Sequence, residues 1–329
     1  KPENVETEEL GLEAKFLKNR IGFDIAVYKS DVTNQIFNVP YDYMTGAKFY
    51  TQNIGLIQNK GIEMMFNLVP VKTRDFTWNI SINASRNIGI LKEMYDGWDN
   101  ANPHQADYVT SIGNRLYVYN YVGEKMGQLW GKGLRLTPEN SYYLDADGNK
   151  VDCSNQIIVD ATTGLTSNGD AGDLRYLGNV NPDWTGGLNT SFRYKNLTVS
   201  AAFAAQLGGK TYSVTAGILG YQGKLTNTLE GRYDGLVAPG YNVIGTETGE
   251  DGETVYTICK PNETLCTDIY TYYQSGVANR YNFSAYTYDT SYLKMKELRV
   301  EYNFPKKLIE KTKVLQGVTV AAYATNLFC

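Results

Sequence analysis

Apolar residues recur at every second position through much of the chain. Leu10, Leu12, Ala14 and Phe16 fall on one parity, with Glu9, Gly11, Glu13 and Lys15 on the other. After Lys18-Asn19-Arg20 the alternation resumes with Ile21, Phe23, Ile25 and Val27. It returns at Ile62–Leu68, Phe76–Ala84, Leu188–Tyr194, Leu197–Ala205, Leu298–Phe304 and Val318–Ala322. A period of two gives each predicted strand one apolar and one wet face. The links between these strands alternate in length. Short ones fall at Leu17–Arg20, Pro70–Asp75, Lys195–Asn196 and Pro305–Lys313, and long ones near Asn38–Asn53, Gly89–Asp183 and Gly208–Ser291. Outer-membrane barrels show this alternation of tight periplasmic turns and long external loops, whereas compact soluble domains seldom hold such long structureless links. The middle link is long enough to hide further strands, for example around Leu116–Leu136.

Rings cluster beside the short links, on the apolar parity: Phe16 and Phe23; Phe66, Phe76 and Trp78; Phe192 and Tyr194; Tyr302 and Phe304. That placement reads as an aromatic girdle at one membrane interface. The core of a soluble β-sandwich has no reason to gather its rings at one end, although alternation by itself fits a sandwich too. The expected fold is therefore all-β: an antiparallel transmembrane barrel with long external loops.

Composition sharpens this reading. The 329 residues hold 27 Tyr and 32 Gly but only 9 Pro and 1 His. No apolar run reaches the ~18–20 residues of a spanning helix, while a spanning strand needs only ~9–11, about half of them polar. The formal net charge of −4 argues against a nucleic-acid partner. Catalysis finds little support. The single histidine, His104, sits in the loop-like Asn102-Pro103-His104-Gln105. Asp145-Ala146-Asp147-Gly148-Asn149-Lys150 resembles a calcium loop but has Lys150 where glycine is needed, and reads better as a hairpin turn. No cofactor or metal site is expected. Cys259 and Cys266 flank a turn-like segment, leaving open a local disulfide or two free thiols. Loop aromatics are the candidate ligand contacts: Tyr41, Tyr43 and Tyr50, then Trp130, then Tyr270, Tyr272 and Tyr273. Their faces suit sugar rings or peptide side chains, and equally suit packing of loops on one another.

Several segments resemble the SusC/RagA family of TonB-linked outer-membrane proteins. They include Asn53-Ile54-Gly55-Leu56-Ile57-Gln58-Asn59-Lys60-Gly61-Ile62-Glu63 and Gly178-Asn179-Val180-Asn181-Pro182-Asp183-Trp184-Thr185-Gly186-Gly187. The opening Lys1-Pro2-Glu3-Asn4 with Glu9–Glu13, the strand Ser291–Leu298 and the closing Ala324–Phe328 fit as well. The resemblance implies a barrel of about 22 strands, of which residues 1–329 supply the C-terminal part. It further implies a plug, a TonB-contacting segment and a closing strand outside this sequence, both ends of which read as cuts. A SusD-like surface lipoprotein, the TonB complex, outer-membrane lipid and an oligosaccharide or peptide ligand are the implied partners, in nutrient import without enzymatic chemistry. A passive porin or adhesin barrel and a soluble carbohydrate-binding sandwich are the rival readings. A surface glycosidase would need two carboxylates held across a cleft, and the sequence offers no such pair.

Overall fold

A computed structural model describes residues 2–40, 44, 46, 49–94, 104–105, 116–166, 174–309 and 314–329. Eight long strands form one antiparallel sheet in chain order: β1 (Asn4–Phe16), β2 (Ile21–Thr33), β3 (Leu56–Lys72), β4 (Phe76–Glu93), β5 (Trp184–Tyr194), β6 (Leu197–Leu207), β7 (Tyr292–Asn303) and β8 (Thr319–Phe328). Every alternating segment read from the sequence lies in this wall, and β3 and β4 extend well beyond the stretches that alternate cleanly.

Three of the four short links are tight turns. Leu17, Lys18 and Asn19 turn with φ of 51°, 57° and 63°, a left-handed run that joins β1 to β2. Between β7 and β8 the link holds a short helix, Lys306–Ile309.

The wall has two unlike faces. Its concave side is lined by Glu9, Asp24, Glu63, Asn83, Ser85 and Thr185, all from the polar parity. The outward side carries the apolar parity, and much of it stays bare. Leu10 is 75% exposed and Val320 58%, with Val27 and Ile82 also exposed. A soluble sandwich would bury this face under a second sheet. Here it is presented as a barrel presents it to lipid.

All nine predicted girdle rings lie at the short-turn end, and the register brings them into contact. Trp78 pairs with Phe192 and stacks on it at 5.2 Å, and Phe76 pairs with Tyr194. Phe23 pairs with Phe66 and lies 5.9 Å from Phe16, while Tyr302 and Phe304 meet edge to face at 5.2 Å.

At the opposite end the long links fold into a layer of their own. Residues 104–105, 116–120, 128–132 and 174–179 make one four-stranded sheet, and residues 150–152, 141–144, 255–261 and 241–248 make another. Strands do lie within 116–136, as expected. The only substantial hydrophobic cores among the described residues are here. Leu116, Val118, Leu129 and Phe283 form one, while Val159, Ile269, Tyr272 and Tyr273 belong to the other.

The Asp145 segment is a hairpin turn. Its carboxylate accepts from the amides of Asp147 and Asn149 at 3.0 and 2.8 Å, and Gly148 takes φ +80°. The hydrogen bonds from Asn149 hold the Asp145 carboxyl below its ordinary range.

The Cys259–Cys266 bridge does not form, because the strand runs on to Pro261 and carries the two cysteines onto different sheets. Cys266 pairs with Leu236 and points its sulfur at the Asp268 carbonyl, 3.7 Å away. Cys259 instead accepts a hydrogen bond from the Cys153 thiol. Burial, then that bond, pushes the Cys153 thiol up to about 12. At pH 8 its maleimide labelling is expected to be roughly a thousandfold slower in the folded protein than in urea, since only the thiolate reacts. Equal rates, read by peptide mass spectrometry, would show that the thiol is not buried.

Candidate functional site: an aromatic face above the barrel wall

The sheet at 116–132 alternates as the wall does. Leu116, Val118 and Asn120 point into the core, so Tyr117 and Tyr119 take the other face, with Tyr121 just beyond. Trp130 joins them from the neighbouring strand, paired with Tyr117 on one side and Tyr176 on the other. The rings form a continuous strip. Tyr117 stacks on Tyr119 at 5.1 Å, Tyr119 meets Tyr121 at 6.3 Å, and Trp130 lies 5.8 Å from both Tyr121 and Tyr176. The Trp130 indole donates to Gln128 Oε1 at 3.0 Å, which fixes its plane. Burial, with the neighbouring phenols of Tyr117 and Tyr121, pushes Tyr119 up to about 12. It therefore stays a neutral hydroxyl, able to donate, throughout the physiological range.

This sheet is clamped to the wall by the Gly178–Gly187 motif. Asn179 and Asn181 both donate through Nδ2 to the Met126 carbonyl, at 2.9 and 3.2 Å. The Met126 amide in turn donates to Gly89 O of β4 at 2.9 Å. Asp183 accepts from Lys125 at 2.8 Å, and Trp184 then opens β5. The Lys125 hydrogen bond holds the Asp183 carboxyl below its ordinary range. Gly127 is required where the two segments cross. Its φ is +86°, and a Cβ there would fall 2.6 Å from Asn181 Nδ2.

A second aromatic cleft, of about 560 Å³, is lined by Tyr221, Tyr233, Tyr270, Tyr273, Gln274 and Arg232. Tyr233 and Tyr270 are 98% and 70% exposed. Arg232 is a brace, donating to the carbonyls of Thr228 at 2.8 Å and Gly223 at 2.6 Å.

The predicted contacts divide accordingly. Trp130 sits in the ring strip, and Tyr270 on the rim of the cleft. Tyr273 lines that cleft but donates its hydroxyl to Glu230 O at 2.9 Å. Tyr272 is core, 5% exposed, where its ring packs on Tyr273 at 5.0 Å. Tyr50 lies exposed in a separate hairpin, residues 36–40 and 49–53. Tyr41 and Tyr43 lie outside the described residues. His104 belongs to a two-residue strand paired with Tyr119 and Asn120. Sequence reading passed over Tyr117, Tyr119, Tyr121 and Tyr176, although Leu116-Tyr117-Val118-Tyr119-Asn120-Tyr121 already alternates.

The wall and its external layer define an outer-membrane β-barrel. Comparison with known proteins specifies which kind. TonB-dependent receptor P3 of Formosa agariphila is 27% identical over 97% of this chain and 29% of its own length. TonB-dependent receptor SusC of Bacteroides thetaiotaomicron is 27% identical over 64% of the chain and 20% of its own length. The RagAB peptide importer in its closed-closed state superposes with a TM-score of 0.65 at 18% identity, over 99% of this chain and 32% of that one. No protein-family model matches. The chain thus spans about three-tenths of the length of the first of these relatives. Its relatives are TonB-dependent receptors, SusC among them, in line with the resemblance of its motifs to the SusC/RagA family.

Proposed function

We propose that this chain forms the C-terminal wall and outer mouth of a TonB-dependent importer of oligosaccharides, working with a SusD-like surface lipoprotein. The observation that carries the proposal is the ring strip, Tyr117–Tyr119–Tyr121–Trp130–Tyr176, anchored through Asn179 and Asn181 to strands whose concave face is polar. Rings 5.1–6.3 Å apart, stacked or tilted on one another, present edges and partial faces along a line that suits successive sugar units, and their hydroxyls and the Gln128–Trp130 pair supply polar edges. Peptide cargo is the second reading, favoured by the likeness to a peptide importer. Capture would occur at the outer layer, and release would follow a pull by TonB on parts of the protein outside this chain. Binding and gating would suffice, without covalent chemistry.

The test is to extract the full-length protein from its native membrane in mild detergent and identify what accompanies it by mass spectrometry. A surface lipoprotein with a bound glycan supports the proposal, and a bound peptide moves it to the second reading. A chain found alone that conducts ions steadily in a planar bilayer overturns it in favour of a passive porin. Trp130→Ala is expected to raise the Kd for the co-purified ligand about tenfold, ~1.4 kcal/mol, in a calorimetric titration. An unchanged Kd would remove the strip from the site.

A further inference from the structure

A polar line crosses the outward face of the wall, and neither the apolar band nor the external layer uses it. Counting up from the short turns, the outward residues of β2 are Ile21, Phe23, Ile25 and Val27, and the next is Lys29. On β3 they are Leu68, Phe66, Met64 and Ile62, and the next is Lys60. On β4 they run from Phe76 through Trp78, Ile80, Ile82 and Ala84 to Arg86. Three adjacent strands thus change from apolar to cationic along one line. Lys29 is paired with Lys60, and Arg86 with Ile62, so Lys60 and Arg86 are diagonal neighbours. Trp184 at the start of β5 continues the line, its ring centroid 5.7 Å from the Arg86 guanidinium.

The height of this line identifies its surroundings. From Ile21 to Lys29, or from Leu68 to Lys60, is ~27 Å along a strand at ~3.4 Å per residue. At a tilt near ~40° that is roughly 20 Å along the membrane normal, close to the apolar band of such barrels. The line therefore stands at the headgroup level of the outer leaflet, where an indole also belongs.

The three cations are not alike. Lys29 is committed to Asp31 at 2.7 Å, with Glu8 across from it on β1. Asp31 also accepts from Gln58 at 2.7 Å. Asp31 also lies within electrostatic reach of Lys60, and Asp183, bound to Lys125, within reach of Arg86. Toward β4, Lys60 has no ion pair among the described residues, and Arg86 Nε is buried without a hydrogen-bond partner. An orphaned guanidinium N–H is costly, and two cations on diagonal positions repel unless an anion lies between them.

We propose that Lys60 and Arg86, backed by Trp184, form a site on the outward face of the barrel for the phosphate of a phosphorylated outer-leaflet glycolipid. The Arg86 guanidinium would donate through its Nη atoms, its Nε being buried, and the Lys60 ammonium would supply a second charge. The apolar strip directly below, Ile62, Ile82 and Ala84, would hold the acyl chains. A soluble phosphate meets the same cations without that strip and is held far more weakly. The site depends on the outer-membrane location alone, so failure of the import reading would leave it untouched.

The test is native mass spectrometry of the full-length protein in detergent, titrated with diphosphorylated lipid A, with phosphatase-treated lipid A, and with inorganic phosphate. The expected result is one tightly held phosphorylated lipid, little retention of the dephosphorylated lipid, and no competition from phosphate at equal concentration. The Lys60→Ala/Arg86→Ala pair should lower lipid occupancy at least tenfold, and Lys60→Arg/Arg86→Lys should restore most of it. Should the double alanine variant fail to insert, Arg86→Gln serves, with an expected severalfold loss. Equal retention of both lipids, undiminished binding by the neutralised variants, or full competition by phosphate would each overturn the proposal.

Discussion

Phe283→Ala is expected to cost about 3–5 kcal/mol and to loosen the external layer while the eight-stranded wall stands. Phe283, at 0% exposure, is the largest fully buried side chain beneath the ring-bearing sheet. Its amide donates to Lys132 O at 3.0 Å, its ring meets Tyr212 edge to face at 4.9 Å, and Leu116, Val118 and Leu129 close around it. Removing the ring leaves a cavity that strands pinned at both ends to the wall cannot close by collapsing. The loss falls on the layer alone, because the wall's own strands are held to one another by backbone ladders and by lipid. Limited proteolysis checks this. New cleavages should appear within residues 116–132 and 210–290, with the barrel keeping its heat-modifiable migration in SDS gels. A proteolytic pattern matching the parent would show that Phe283 does not support the layer. Ligand binding should fall with it, since Trp130 and Tyr176 depend on the sheet's register.

The second large effect belongs to the wall. Gly61→Leu is expected to destabilise the barrel by about 1–3 kcal/mol. Gly61 is paired with Tyr28 across β2 and β3, on the polar face. The Tyr28 ring lies flat over it, so that any Cβ at position 61 would overlap the ring, and the phenol hydroxyl reaches Asn87 Oδ1 at 3.3 Å on β4. The glycine is required here by close approach rather than by an unusual backbone angle. A leucine would drive Tyr28 from its place and break the Asn87 hydrogen bond. Adding Tyr28→Ser should recover most of the lost stability, because it empties the space the leucine claims. Heat-modifiability midpoints for the two singles and the double decide the matter. Additive losses would mean that ring and glycine do not interact.

Both predictions rest on glycines and rings whose roles were only partly legible in the sequence. The pattern Asn59-Lys60-Gly61-Ile62-Glu63 marked the family resemblance, but the reason for its glycine lies in Tyr28, 33 positions earlier, and emerges only from the register. Likewise Asn179, Asn181 and Asp183 stood out as a motif. Their work, clasping Met126 and Lys125 to the wall, needs segments more than 50 residues apart to meet. Tyr272 and Tyr273 illustrate the opposite failure. Neighbouring tyrosines in a polar loop look exposed, yet the layer's own core takes both.

The wall was legible in local pattern. A period of two places one side chain in lipid and the next in water whatever the strand's neighbours are, so eight strands, their facing and the clustering of rings at the short turns could be read from local pattern. Local pattern did not determine the external layer. There, residues from two separate long links share each core, and burial depends on which segment covers which, as with Phe283 over Gly131 and Cys153 beside Cys259. Tertiary structure alone decided that five rings, from strands 116–120 and 128–132, the adjoining Tyr121, and strand 174–179, align into one strip. Alternation sets which way a side chain points. Only the pairing of distant strands sets what stands next to it.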